Sequence, residues 1–297
     1  MADVGRCLYS DDSHGSPARA PRVAVFPMNA RLAAICTYPV KSCAGNDLHS
    51  ALVEPRGLMH DRRWMLVDAN GRFLTGRQLP QLVMVRATPM EPDRLRLDAP
   101  GMPAIDITPT VGAPRIGATV WDSSVSAADG GPEAARWFSD YLGRPVRLVH
   151  ADAAMQRALD PAYSLPGDEV SFADGYPLLL LTRAAADELS ARAGRELGWR
   201  RFRPNLLIDG APAHAEDGWR RVRIGKLEFD VVKPCVRCVF TTIDPDSGVA
   251  ESDGQPLTTL KSYRRSPKGI TFGQNLIARG SGTIRVGDPV DVLSPRD

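Results

Sequence analysis

The stretch KPCVRCVFTTIDPDSG, residues 233–248, decides the fold because it sets a pair of cysteines among the strands of a β-rich half of the chain. β-Branched and aromatic residues dominate residues 229–232 and 239–243 on its two sides, and such residues are typical of strands. The sequence DPDSG, residues 244–248, predicts a turn that ends the second strand. The two cysteines are therefore predicted to lie in a short loop between two strands.

These cysteines, Cys235 and Cys238, leave several chemistries open. A thiolate beside Lys233 and Arg237 is stabilised as an anion, which suits a soft metal ion or a nucleophile. Structural zinc needs four ligands, and no second CxxC or nearby histidine accompanies this pair. A thioredoxin-type pair normally opens a helix, whereas a strand is predicted after Cys238. Two half-buried structural cysteines remain the plain alternative.

The composition is that of an ordinary globular protein, with 297 residues, 43% hydrophobic and 24% charged. This length predicts one large or two moderate domains. The 25 prolines and 26 glycines favour many short strands and turns over a helical bundle. The net charge of +2 argues against broad nucleic-acid binding.

The chain has five cysteines, an odd and small number for a secreted disulfide scaffold. This cysteine content favours the reducing cytoplasm. No apolar run approaches the ~20 residues of a membrane span, and the N-terminus lacks the apolar stretch of a signal peptide. We therefore expect a cytoplasmic protein without a membrane anchor. Residues 1–30 are rich in Ser, Asp, Gly, Pro and Arg, and are predicted to be a disordered tail.

The pattern of the remaining chain predicts a mainly β fold with some helix, in the α+β class, divided into residues 31–150 and 151–297. The strands of the first domain recur about every ten residues, which is typical of a small barrel or a sandwich. Its predicted strands begin at residue 31 and then cover residues 52–54, 63–67, 72–75, 82–85, 94–97, 104–107, 114–121 and 146–149, with a helix at 132–142 ended by Gly143. The second domain has predicted strands at 176–182, 206–208, 222–224, 272–277, 283–286 and 290–293, and helices at 183–197 and 255–263.

Basic and amide side chains follow or interrupt several of these strands. They are Lys41 and Ser42, the segment HDRRW at residues 60–64, Arg203 and Asn205, and Arg237. Each by itself suits a solvated loop, but together they would suit a large anionic ligand, because guanidinium groups bind phosphate bidentately. Neither glycine-rich phosphate-binding motif is present, nor is the GxSxG motif of a serine hydrolase.

Several motifs in one order resemble a known family. KPCVRCVFTTIDPDSG, PLTTLKSYR at 256–264, FGQN at 272–275 and VGDP at 286–289 closely resemble the MOSC domain of molybdenum-cofactor proteins. Upstream, YPVKSC at 38–43, DRRW at 61–64 and TGRQ at 75–78 resemble the β-barrel domain that precedes MOSC in mitochondrial amidoxime-reducing components and bacterial YcbX-type proteins. The resemblance covers about residues 31–297.

This resemblance implies a molybdopterin cofactor in a cleft between barrel and MOSC domain, with Cys238 as the metal ligand and Cys235 as its neighbour. The positions that match the family's pterin- and phosphate-binding residues are Lys41, Ser42, Arg62, Arg203, Asn205 and Arg237. Asp174 falls in a further cofactor-contacting loop, where Gly175 and Tyr176 depart from the hydroxyl-bearing residues expected there. Arg237 is expected to favour the thiolate of Cys238.

The implied activity is the reduction of N-hydroxylated compounds with molybdenum as the redox centre. No cysteine cluster for an iron–sulfur centre follows the MOSC domain, so the electrons are expected from a separate flavin, haem or iron–sulfur protein. The alternative is a carrier of sulfur or of the cofactor, since MOSC domains also occur fused to pyridoxal-phosphate-dependent sulfurases. Because this chain lacks a sulfurase domain, pyridoxal phosphate is not expected. A third alternative is a cofactor-free interaction domain.

Overall fold

The computed structural model describes residues 29–90 and 94–296, and it confirms a mainly β fold with some helix. The strands are β1 Arg31–Thr37, β2 Asn46–Leu48, β3 Ser50–Glu54, β4 Gly57–Leu58, β5 Trp64–Val67, β6 Arg86–Met90, β7 Arg94–Asp98, β8 Ile105–Ile107, β9 Arg115–Val120, β10 Ser123–Asp129, β11 Arg147–His150, β12 Leu178–Thr182, β13 Leu206–Asp209, β14 Trp219–Ile224, β15 Leu227–Val236, β16 Arg265–Ser266, β17 Gly269–Ala278, β18 Gly282–Arg285 and β19 Val290–Pro295. The helices are α1 Pro132–Leu142, α2 Arg183–Ala193 and α3 Leu257–Tyr263, and short 3-10 helices cover Pro80–Met84, Trp199–Phe202, Ala215–Gly218 and Val239–Thr242.

The largest sheet joins strands from both halves of the chain in the order β19-β14-β15-β17-β12-β13-β1-β2. The strand β1 pairs antiparallel with β13, and β3 pairs antiparallel with β18. Leu32, Ile35, Val53 and Leu58 are fully buried in the core beneath this sheet. The first strands of the chain therefore complete the fold of the second half, while the predicted boundary at residue 150 stays a prediction.

The rest of the first half forms its own sheets, β5-β11-β10-β9 and β6-β7-β8, against which α1 packs. The helix has the predicted bounds because Pro132 fits its first turn and Gly143 follows it with a left-handed φ of 65°. Trp137 and Phe138 lie on its buried face. This body supplies the loops that form one wall of the cleft described below.

The prediction of a strand at residues 239–243 is wrong, because Val239–Thr242 is a 3-10 helix. The hydroxyl groups of Thr241 and Thr242 donate hydrogen bonds to the carbonyls of Cys238 and Val239, at 2.9 and 2.8 Å. These local bonds satisfy carbonyls that a sheet would otherwise pair. The preceding strand β15 runs on through Cys235, so the predicted loop between two strands does not exist.

Three other local predictions also differ from the structure. Residues 82–85 were predicted as a strand but lie mostly in the 3-10 helix that starts at Pro80, and residues 72–75 form only isolated bridges. Helix α2 ends at Ala193 because Gly194 takes the left-handed conformation, with φ of 70°. Of the predicted tail, residues 1–28 lie outside the described residues. Within the described ranges no helix is long and apolar enough to cross a bilayer.

Candidate functional site

A cleft between the two halves brings together all eight residues that the sequence singled out. They are Lys41, Ser42, Arg62, Asp174, Arg203, Asn205, Arg237 and Cys238. The same cleft is also lined by Thr75, Arg77, Gly175, Tyr176, Arg201, Cys235 and Phe240. These residues come from distant parts of the sequence, and the folded chain brings them together in one cleft.

Cys238 lies at the mouth of the cleft, exposed to solvent, where β15 gives way to the 3-10 helix that follows it. Arg237 was expected to favour the thiolate of Cys238, but its Nη1 donates to Sγ of Cys235 at 2.8 Å. Cys235 and Arg237 are two residues apart in extended backbone, so their side chains share one face. Within the described chain no hydrogen bond to the Cys238 thiol occurs, which leaves Sγ accessible to a ligand.

Two arginines are held against the ring of Tyr38, which is buried beneath the cleft. The guanidinium carbons of Arg62 and Arg203 lie 4.2 and 4.1 Å from the ring centroid. The carboxylate of Asp61 neutralises Arg62 at 2.5 Å, whereas Arg203 has no ion pair among the described residues. Burial, with Arg62 nearby, lowers the pKa of Arg203 to about 10.

Two buried nitrogens of this cluster, Nη2 of Arg203 and Nε of Arg237, have no hydrogen-bond partner within the described residues. A buried donor without an acceptor costs about 1–3 kcal/mol, so such atoms are normally paired. Six lining side chains are cationic, and Asp174 is the single carboxylate among the described residues that line the cleft. The arrangement therefore suits a large anionic ligand that supplies the missing acceptors.

Lys41 and Asp174 form a second charged unit. The ammonium of Lys41, which is almost fully buried, donates to the carbonyl of Phe172 at 2.7 Å and to Oδ1 of Asp174 at 2.5 Å. Burial lowers the pKa of Lys41, and the carboxylate of Asp174 opposes this effect. Desolvation raises the pKa of Asp174, but the ammonium of Lys41 outweighs it and holds that pKa far below its usual range. Lys41 and Asp174 thus form a close ion pair in the cleft.

Asn205 lies in the cleft wall, but its amide is engaged in backbone contacts. Its Nδ2 donates to the carbonyl of Cys36 at 3.0 Å, and its Oδ1 accepts from the backbone N–H of Leu179 at 3.1 Å. These bonds join β1 to β12 across the intervening strand. A ligand can therefore contact Asn205 only through the hydrogen-bonding capacity of its amide that these two bonds leave unused.

Backbone strain is concentrated around the cleft. Ser42, Arg62 and Arg203 all have left-handed backbone, with φ of 70°, 48° and 57°. Trp121, which contacts Asp174, has φ of 55°. This region is unfavourable for residues with side chains, and such strain is typical of functional sites. No sequence pattern reveals it.

Sequence reasoning missed three residues that shape the cleft. Arg77 lies in the quoted TGRQ motif without having been assigned a role, and Trp121, which contacts Asp174, is 39% exposed. Arg157 is buried and donates to the carbonyls of Ser171, Ala173 and Asp174 at 2.6–3.0 Å. Arg157 and Lys41 thus hold the loop that carries Asp174 by donating to different backbone carbonyls. Only the tertiary structure creates this arrangement.

No group of three or more His, Cys, Asp or Glu residues is placed to hold a metal ion among the described residues. A metal at Cys238 would therefore receive its other ligands from a bound group or solvent. The six cationic side chains of the cleft fit a phosphate-bearing cofactor, and the accessible Cys238 thiol fits a soft metal ion that such a cofactor binds through sulfur.

Two family models match the chain. The MOSC N-terminal beta barrel domain matches residues 29–145, and the MOSC domain matches residues 167–291. With the cleft between these two parts, the fold defines a two-domain MOSC protein. The chain belongs to this family.

Among curated proteins, the chain is similar to the mitochondrial amidoxime-reducing components. It is 36% identical to component 1 of Mus musculus over 281 residues, which cover 88% of this chain and 82% of that protein. It is 35% identical to component 1 of Homo sapiens with the same coverage, and 35% identical to component 2 of Rattus norvegicus, covering 85% and 80%. A solved structure, the YuaD protein from Bacillus subtilis, aligns over 88% of this chain and 94% of its own, with 10% identity and a TM-score of 0.38.

Proposed function

We propose that this protein is a molybdenum-cofactor-dependent reductase of N-hydroxylated compounds that receives electrons from a separate redox protein. The observation that carries the proposal is the exposed Cys238 thiol in a cleft where buried arginine nitrogens lack partners. The relatives are named for amidoxime reduction, which supports the same substrate class.

The residues of the cleft would divide the binding of this cofactor between them. Arg203 and Arg237 would donate to its phosphate through the nitrogens that lack partners, since charge-assisted bonds to phosphate are strong. Lys41, paired with Asp174, and Arg62, paired with Asp61, would line the barrel side of the cofactor. Ser42 and Asn205 would contact the pterin edge. Cys238 would bind the metal as a thiolate.

The cofactor would supply the two-electron redox chemistry, and the chain would supply orientation and charge. The ring of Tyr38 holds the side chains of Arg62 and Arg203 in advance, so little conformational entropy is lost when the ligand binds. Cys238, at the mouth, leaves the metal reachable by a small substrate and by the surface of a flavin, haem or iron–sulfur donor. We further propose a cytoplasmic location, which fractionation of the source cells would test, since the relatives are named mitochondrial.

The test is metal analysis of the protein made in a host that synthesises the cofactor. We expect close to one molybdenum per chain in the wild type, almost none in Cys238→Ser, and a near-normal content in Cys235→Ser, because only the first substitution removes the metal ligand. Well-folded wild type without molybdenum would refute the proposal.

Turnover separates the enzyme from a cofactor or sulfur carrier. Loaded wild type should reduce benzamidoxime when a chemical reductant or a donor protein supplies electrons, and Cys238→Ser should lose at least ~100-fold of that rate, about 2.7 kcal/mol in activation free energy. Bound molybdenum without turnover under any of these conditions would instead support a carrier.

A further inference from the structure

Arg77 is a cation of the cleft whose charge is left without a partner in the described part of the chain. Its Nε donates to the hydroxyl of Thr75 at 3.4 Å, and Thr75 is itself fixed by the side chain of Gln78 at 2.7 Å. The guanidinium lies 4.5 Å from the ring centroid of Trp121. Within the described residues it forms no ion pair, and its two terminal nitrogens form no hydrogen bond.

The contacts of Trp121 and Asp174 explain why the positive charge of Arg77 is not neutralised by the carboxylate of the cleft. Asp174 is the carboxylate of the cleft, but its Oδ1 already accepts from Lys41 at 2.5 Å and from Nε1 of Trp121 at 3.2 Å. Trp121 therefore contacts the acid through its ring N–H and the arginine through its ring face. A cation–π contact orients a guanidinium without neutralising it, whereas an ion pair would do both.

The orientation of Trp121 is itself enforced. Its backbone is left-handed, with φ of 55°, and its ring packs on Phe73 with centroids 5.1 Å apart. A bulky residue in this region costs about 1–3 kcal/mol, and such strain persists where surrounding contacts impose it. A tryptophan that is strained, exposed and fixed beside a cleft is better explained by a role in the site than by packing.

Arg77 also lies beside the segment that carries Cys238. A side-chain carbon on Gly76 would overlap the ring of Phe240, so the loop at 75–78 packs closely on the 3-10 helix that begins after Cys238. Arg203 and Arg62 lie together around Tyr38, deeper in the cleft wall. Arg77 and Cys238 thus line the same cleft, on segments that pack against each other.

We propose that Arg77 is a substrate-binding residue and that Trp121 is its positioning residue. Resting on the proposed function, this assigns Arg77 to the oxygen of the N-hydroxyl group, to which its terminal nitrogens donate. Planar amidoximes and related N-hydroxylated compounds would be preferred, since the guanidinium, held over the ring of Trp121, presents its donors in a fixed fork. Substrates without an oxygen acceptor on nitrogen would bind weakly.

The test uses the molybdenum-loaded protein without an electron donor, so that benzamidoxime binds but is not reduced, and measures Kd by calorimetry. We expect Arg77→Met to weaken binding by about 10- to 100-fold, the usual range for a bond to a charged donor, with an unchanged molybdenum content. Arg77→Lys should recover part of the loss. Arg72→Met, on an exposed residue of the same barrel, is the matched control and should bind as the wild type does.

Double substitution tests the positioning role. Trp121→Leu should also weaken binding, and the double variant should bind no worse than Arg77→Met alone, because Trp121 acts through Arg77. Losses that add in the double variant would overturn this assignment of Trp121.

Three results would overturn the role of Arg77 in different ways. An unchanged Kd for benzamidoxime in Arg77→Met would refute the substrate-binding role of Arg77. If the wild type still reduces benzamidoxime, the proposed function would stand in that case. Loss of molybdenum from Arg77→Met would show that this residue holds the cofactor instead. Wild type that neither carries molybdenum nor reduces benzamidoxime would remove the proposed function and this inference with it.

Discussion

Tyr38 shows at the residue scale how one ring organises charge. Its hydroxyl donates to the carbonyl of Pro204 at 3.1 Å, while Arg62 and Arg203 lie against its ring. Burial raises its pKa well above the ordinary value, so the hydroxyl stays protonated as a donor at all physiological pH values. The ring and the hydroxyl thus have separable roles, which substitution can test.

We expect Tyr38→Leu to lose most of the bound molybdenum, because the two arginines lose the surface that orients them. Tyr38→Phe should keep the metal and lose only about 1 kcal/mol of the free energy of unfolding, from the missing hydrogen bond. Metal content and urea unfolding measure the two effects. Equal loss of metal in both variants would mean that the hydroxyl, not the ring face, matters.

Glu216 is a fully buried carboxyl whose oxygens accept from the backbone N–H of Thr182 at 3.2 Å and contact its hydroxyl at 2.7 Å. Burial raises its pKa above that of the unfolded chain. The folded state therefore binds the proton more tightly, and stability falls as pH rises from the unfolded pKa through the folded one. Above its folded pKa, the ionised Glu216 carboxylate therefore destabilises the fold relative to its protonated form.

Glu216→Gln should accordingly raise the free energy of unfolding at pH 8, and the gain should shrink as pH falls towards 4. Urea unfolding at several pH values measures it. Exposed Glu196→Gln is the control and should change stability by less than about 0.5 kcal/mol. A gain that is constant with pH would contradict the prediction.

At the scale of elements, the contact between the loop at 75–78 and the 3-10 helix Val239–Thr242 joins the barrel to the MOSC part beside Cys238. Gly76 has no room for a side chain against Phe240. Gly117 in β9 has nothing within 4 Å of where a Cβ would lie, which makes it a matched control. Comparing the two glycine-to-alanine substitutions separates the effect of crowding at this contact from the general effect of replacing a glycine with alanine.

Gly76→Ala should move Phe240 and, with it, the turn that carries Cys238. We expect at least about a tenfold fall in benzamidoxime turnover, equal to about 1.4 kcal/mol, with a change of less than about 1 kcal/mol in stability, because the half-buried ring can shift. Gly117→Ala should leave turnover unchanged. Wild-type turnover by Gly76→Ala would show that the contact does not position the site.

At the scale of the whole molecule, the strands β1 and β3 belong structurally to the second half. Separating the chain at residue 150 would remove β1 from one edge of β13, leave β18 without its partner β3, and remove Leu32, Ile35, Val53 and Leu58 from the core. Burial of four such side chains contributes about 6–12 kcal/mol, at 1.5–3 each, which is comparable with the whole stability of a domain.

Residues 151–297 expressed alone should therefore lack a cooperative unfolding transition by circular dichroism, and addition of residues 29–150 should restore one. A fragment that unfolds cooperatively by itself, with dispersed NMR signals, would contradict this prediction.

The sequence by itself determined what depends on neighbouring residues. Helix α1 was predicted with its observed bounds because Pro132, the helical spacing of its apolar residues and Gly143 act locally. Most strands were found by their composition, and the eight residues named for the site were found because ordered motifs resemble a family. Their roles in binding remain predictions, but their meeting in one cleft is a finding of the structure.

The tertiary structure alone decided what depends on contacts between distant residues. Lys41 meets Asp174 across 133 positions of sequence, and the pairing of Trp121 with Arg77 follows no motif. The strand predicted after Cys238 became a 3-10 helix because threonine hydroxyls bond nearby carbonyls there. Propensity describes a residue's average surroundings, whereas burial, strain and charge at a site arise from particular neighbours that only the folded chain brings together.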